Sequence, residues 1–184
     1  MTTPHKLAEF LHAFADGKVI EFKHGHLGWT KATNLETIVE YAHEEWRIKP
    51  NTILINGEEV PHIGDEWPEH QGIYAGIARG IGEPDAHLVL LHELPRKERN
   101  WDVAMAWAES LGNGAHVPTR FESALLYANV RDKFQTDGWY WTGAQYSDDY
   151  AFYQDFEHSW QDTSRKTNEA RVRAVRRITI KETP

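Results

Sequence analysis

The chain has 184 residues, 40% of them hydrophobic and 12% aromatic, enough to bury one core or one core plus a small appendage. It contains no cysteine, which excludes disulfides, thiolate metal sites and thiol nucleophiles and suits a reducing compartment. A formal net charge of −8 argues against direct binding to a phosphate backbone, no apolar run approaches membrane-spanning length, and no charged-then-apolar leader opens the chain.

From the N-terminus, Leu7, Phe10, Leu11 and Phe14 recur at helical spacing, and Asp16-Gly17 stops that helix. Val19 to Phe22 alternates as a strand, and the turn Gly25 to Gly28 leads to Trp29, so a hairpin follows the helix. Asn34 to Glu45 has a helical pattern. Thr52 to Gly57 reads as a strand ended by an Asn-Gly turn, and the acidic, proline-containing stretch from Glu58 to Gln71 as a linker or exposed loop. The expected organisation is a small αβ module over 1–57, an acidic linker over 58–72 and a second domain over 73–184.

In that second domain the glycines from Gly76 to Gly82 read as a tight turn, and His87 to Leu91 as an apolar strand. Trp101, Ala104, Met105, Ala108 and Leu111 mark a helix ending at Gly112. Thr119 is the expected N-cap of the next helix with Glu122 as its capping-box partner, and Phe121, Ala124, Leu125 and Ala128 are its expected buried stripe. Aromatic and β-branched residues then alternate with polar ones in Trp139 to Gly143, Tyr150 to Phe156 and Arg171 to Arg177, predicting short antiparallel strands. Trp141, Val172 and Ala174 are expected in the core, where the sheet closes between the first and last of these. The fold class is α+β.

The motifs HLVLL at His87, W-x-x-A-x-x-W-A at Trp101, VPTRFESALL at Val117, WYW at Trp139 and RVRAVRR at Arg171 stand in an order that resembles the Lcl C-terminal-like family. That family is a variant of the C-type lectin fold, common in phage and prophage proteins. The resemblance implies a C-type lectin-like domain, two helices packed on short antiparallel strands, preceded by a small helix-plus-hairpin module. The first part, with ADGKVIEF at Ala15, Trp29 and the closing Trp46-Arg-Ile-Lys-Pro50, resembles a short N-terminal module of many phage proteins.

Catalytic signatures are absent. The Gly82-Glu-Pro-Asp85 segment resembles a lectin calcium loop but lies before HLVLL, whereas the lectin motif comes late in that fold. Asp148-Asp149 offers too few oxygens for calcium, which takes about six to eight. His24-x-His26 is a metal-like pair without a third ligand. The formylglycine-generating relatives within the fold superfamily use paired cysteines, which this chain lacks. His43-Glu-Glu-Trp46 lacks the second histidine of a zinc-protease helix, and His92-Glu-Leu-Pro95 runs into a helix-breaking proline. No nucleophile elbow, no phosphate-binding loop, no cofactor and no catalytic metal is therefore expected.

What remains is surface. The basic block from Arg165 to Arg177 follows an acidic stretch and is expected to pair with it across neighbouring strands. Tyr146, Asp148, Asp149, Tyr150, Tyr153, His158, Trp160 and Gln161 mix rigid amphipathic rings with adaptable polar groups, the composition of recognition surfaces. In lectin-like relatives this late region carries the ligand surface. The expectation is a non-enzymatic, phage- or prophage-encoded binding protein for a protein or glycan, in the host cytoplasm or on the virion. The alternative is an acidic intracellular inhibitor of a host defence or nucleic-acid-handling protein. Neither reading involves direct nucleic-acid or membrane contact, and the oligomeric state is left open.

Overall fold

A computed structural model describes residues 4–15, 18–23, 29–41, 44–48, 52–80 and 82–180. The architecture is mixed α+β, mostly sheet with four helices among the described residues. The chain divides into two units, Met1–Thr52 and Ile53–Pro184.

In the first unit, helix α1 (Pro4–Ala15) precedes strands β1 (Ile20–Lys23) and β2 (Trp29–Lys31), a short helix α2 (Leu35–Glu40) and strand β3 (Glu45–Ile48). The strands form an antiparallel sheet in the order β2-β1-β3. Phe10, Phe22, Ile38 and Trp46 meet in one core, with the Trp46 indole 5.0 Å from the Phe22 ring and donating to the Tyr41 carbonyl at 2.7 Å. The helix expected from Asn34 to Glu45 is shorter. Asn34 caps it by accepting from the Thr37 amide, but Glu45 already pairs with Lys23 in β3.

The second unit opens on the hairpin of β4 (Thr52–Ile55) and β5 (Glu58–Pro61), turned through Asn56 and Gly57, both at positive φ as a type I′ turn requires. Strand β6 (Glu66–Trp67) and a 3₁₀ turn over Pro68–His70 lead into β7 (Gly72–Ala78) and β8 (Ala86–Leu91). Residues 58–72 are thus not a linker. The acidic side chains of this stretch obscure an inward-facing set, because Val60 and Trp67 are buried in the same core as Tyr74 and Leu91. The expected start at residue 73 moves to residue 53 for the same reason.

Helices α3 (Trp101–Ser110) and α4 (Arg120–Val130) follow, then β9 (Trp139–Gln145), β10 (Tyr150–Asp155), β11 (Gln161–Arg165) and β12 (Val175–Thr179). They complete two antiparallel sheets, ordered β12-β8-β7-β6 and β11-β10-β9. The four-stranded sheet is buried on both faces. Tyr74, Val89 and Leu91 share a core with Ala104 and Ala108 of α3, while Ile73, Ala75, Leu88 and Leu90 share another with Leu126 and Val130 of α4. Strand residues point alternately to opposite faces, so a strand covered on both sides is buried throughout, as β8 is, and apolar but for His87.

Two glycines answer to close approaches. A Cβ at Gly72 would stand 2.4 Å from the Leu90 carbonyl oxygen. Gly76, expected in a tight turn, instead sits inside β7 at a register shift, where the Asn129 amide of α4 donates to the neighbouring Ala75 carbonyl at 2.7 Å. The expected closing strand from Arg171 to Arg177 is split. Arg171 exchanges backbone bonds with Trp139 and Trp141, but only from Val175 does the chain pair with β8, because Val172 and Ala174 are buried between the two sheets.

Candidate functional site

The three-stranded sheet positions every residue expected at the ligand surface, and its register separates them. Gln145 faces Ala151 at one end of β10, and Trp139 faces Asp155 at the other. Tyr146, Asp148, Asp149 and Tyr150 therefore sit at the β9–β10 hairpin tip, with His158, Trp160 and Gln161 at the β10–β11 turn. At a strand rise of about 3.3 Å per residue, the two groups lie about 15 Å apart. Tyr146 is 65% exposed and packs edge-on against Phe152, while Trp160 is 63% exposed and stacks on His158 at 4.7 Å. Neither ring plugs the core.

Two members of the set are committed to the fold. Tyr153 turns inward, stacked on Trp139 at 4.3 Å and packed against Trp141, and burial pushes its hydroxyl pKa up. Gln161 donates to the Arg120 carbonyl and to Gln154 Oε1, and its own Oε1 accepts from Arg120 Nε at 2.8 Å, so its amide is fully used. Period-two alternation places half a strand inside, and the ring content of this region hid which half.

The β10–β11 turn is closed by Asp155, whose carboxylate accepts from the amides of Glu157 and His158 and from His158 Nδ1. Burial works to raise the Asp155 pKa, but these hydrogen bonds and the histidine charge outweigh it and hold it low. Asp155, Glu157 and His158 bring three ligand atoms within 4.8 Å of one another, a grouping foreshadowed by their close sequence spacing. The Asp155 contacts identify it as a turn lock.

Helix α4 contributes the groups that the sequence pattern misplaced. The capping box between Thr119 and Glu122 forms as expected, but the buried residues are Glu122, Ser123, Leu126 and Val130, one position round from the expected stripe. Phe121 is left 70% exposed. The cause is Glu122. Its carboxylate, fully buried, accepts from the Thr119 amide at 2.7 Å and from Arg177 Nε of β12 at 2.7 Å, with His116 Nε2 at 3.2 Å. Burial alone would raise its pKa; the bonds to His116, Thr119 and Arg177 prevail and lower it to about 2. His116 responds oppositely: burial pulls its pKa down, but Glu122 and the Gly114 carbonyl win and raise it.

The rotation of α4 opens a cleft of about 560 Å³ between this helix and the β10–β11 turn, lined by Phe121, Ala124, Tyr127, Gln154 and Ser159 among others. Trp160 stands between the lining residues Ser159 and Gln161. On the same flank the Arg120 guanidinium lies over the Phe152 ring at 3.9 Å, linking the cleft toward Tyr146.

The remaining expectations resolve individually. Asp85 accepts from the Gly80 amide and pairs with Arg79 at 3.4 Å, so its carboxylate is spent locally. His24, His26 and His43 lie outside the described residues. His87 is fully buried, with Nδ1 3.0 Å from the Tyr74 hydroxyl and its ring edge-on to Trp67, and burial lowers its pKa. The basic block pairs with the acidic stretch only where Arg171 meets Asp137 at 2.7 Å; Arg177 instead reaches Glu122, and Arg165 donates to the Tyr150 hydroxyl. No helix among the described residues is long and apolar enough to cross a membrane. Compared with known proteins, the sequence matches no family model and no curated protein.

Proposed function

We propose that this is a non-enzymatic binding protein, phage- or prophage-encoded, whose second unit is a C-type lectin-like domain of the Lcl C-terminal-like kind and recognises a protein or glycan. The observation that carries this reading is the α4 cleft. Phe121 lines it and is left open to solvent on a locked helix, and the exposed Trp160 follows the lining residue Ser159 on a locked turn; exposed rings at a concave surface are what a binding site offers. Phe121, Trp160, His158 and Ser159 form the anchor region; Tyr146, Asp148, Asp149 and Tyr150 at the far hairpin tip form its outer rim. Sugars stack on such rings as readily as apolar side chains do, and Ser159 and His158 supply adjacent polar groups.

Trp160→Ala and Phe121→Ala each weaken capture of the native ligand by more than about 1 kcal/mol while the thermal midpoint stays at the parent value. Calorimetric titration with melts of each variant measures both. Unchanged affinity in both variants removes the cleft from the interface.

A second reading, an acidic inhibitor of a basic host protein, draws support from the hairpin tip, where Asp148 and Asp149 are both exposed at the end of a rigid sheet. Under that reading association weakens steeply with salt, and Asp148→Asn with Asp149→Asn together flatten the dependence.

A further inference from the structure

On another part of the second unit, the loop after β8, the 3₁₀ turn after α4 (Arg131–Lys133) and the crossing segment before β12 border a cleft of about 470 Å³. Its character is opposite to that of the chain as a whole. Arg96, Lys97, Lys133, Arg171 and Arg173 line it against the single carboxylate of Glu98. Two of these cations are matched: Lys133 by Asp132 at 2.7 Å, and Arg171 by Asp137 at 2.7 Å and Glu98 at 3.7 Å. Arg96, Lys97 and Arg173 have no carboxylate within ion-pair distance among the described residues.

Arg173 is the telling one. It is only 9% exposed, and its terminal nitrogens donate to the Lys133 carbonyl at 2.8 Å and the Leu91 carbonyl at 3.0 Å, while its Nε has no partner. These carbonyls orient the guanidinium without neutralising it. A buried cation without a counter-ion is costly to fold, and burial indeed pulls its pKa down. Such a charge at the base of an open cleft is compensated when an anion enters. Leu94, Pro95 and Val172 supply apolar wall, with the Tyr140 ring and the Gln135 amide beside them.

We propose that this cleft binds a small phosphomonoester, its phosphoryl group held by Arg96, Lys97 and Arg173 and its organic body laid against Leu94, Pro95 and Tyr140. Three unmatched cations suit a dianion better than a single carboxylate, and guanidinium groups fit phosphate oxygens in pairs. The volume matches a ligand of mononucleotide or sugar-phosphate size. A long polyanion would have to run on over a chain of net charge −8, which disfavours a polymer. The site is separate from the α4 cleft and does not depend on what that cleft binds.

The test is calorimetric titration of the intact protein in low salt with adenosine monophosphate, glucose 6-phosphate and inorganic phosphate, with adenosine and glucose as neutral controls. At least one ester binds, the neutral controls do not, and the affinity falls as salt is raised. The double variant R96A/K97A, altered at two exposed side chains, melts as the parent does and binds that ester at least about tenfold more weakly, the scale of losing one charged hydrogen bond. Arg173→Lys keeps the charge but loses the fork, and weakens the ester likewise. The preferred ester identifies the organic body. The proposal is overturned if neither ester binds, if R96A/K97A binds as the parent does, if inorganic phosphate binds as tightly as the preferred ester, or if a single-stranded oligonucleotide binds with affinity that grows with its length.

Discussion

Trp141→Ala destabilises the second unit by about 3 to 5 kcal/mol, the range of large-to-small changes at well-packed aromatic positions. The indole is only 1% exposed and fills the space among Ala104 and Ala108 of α3, Ala151 of β10, and Val172 and Ala174. Its Nε1 also donates to the Arg99 carbonyl at 2.8 Å. Trp141→Phe separates the two contributions: it retains most of the apolar volume but loses the indole hydrogen bond, the Arg99 carbonyl still accepting from the Ala170 amide at 3.0 Å, and costs less than the alanine variant. Urea melts followed by circular dichroism give both values. A Trp141→Ala midpoint equal to the parent's contradicts the assignment of this ring to the core.

Glu122→Gln gives the second large effect, and gives it in a pH-dependent way. The carboxyl titrates near 4.5 in an unfolded chain and at about 2 in the folded one, so its contribution is fully present above about pH 4.5 and is lost as pH falls toward 2. The shift corresponds to something on the order of 3 kcal/mol. His116 has the opposite sign. Its folded pKa is raised, so its contribution is complete below its ordinary value of 6.5 and fades as pH rises through the folded value. Together they place maximal support from this cluster between about pH 4.5 and 6.5. Glu122→Gln lowers stability in that window, because Arg177 and His116 keep their positions without the charge they face. It also flattens the acid limb between pH 4.5 and 2. Melts of parent and variant across that range check both, and parallel curves exclude the ionised, bridging carboxylate.

Much of this was legible along the chain. The α3 stripe, the capping box at Thr119, the Asn56-Gly57 turn and the buried β8 all follow from local patterns, since each depends on residues within a few positions of one another. The stripe of α4 was not legible, although its start was. Helical periodicity ranks apolar residues, and it cannot register that the Glu122 charge will meet Arg177 from β12 and so turn Phe121 outward. The acidic stretch from Glu58 to Glu69 misled in the same way: its charges are visible in sequence, whereas the burial of Val60 and Trp67 depends on Tyr74 and Leu91 arriving from β7 and β8.

The site divides along the same line. That aromatic and polar groups gather between Gln145 and Gln161 is a property of composition, readable without coordinates. Which of them face solvent, and that Tyr146 and Trp160 fall at opposite ends of β10, is set by the register of three strands. Clefts belong wholly to the tertiary level. Phe121 and Ser159 are brought together by the docking of α4 on the sheet, and Arg96, Lys133 and Arg173 by a chain that passes between two sheets. Sequence by itself determined most of the helices and strands, because hydrogen bonding and side-chain alternation act over a few residues, but not every boundary among them. The tertiary structure alone decided which charges are paired, which rings are left open and where the concave surfaces lie, because those follow from contacts between residues far apart in the chain.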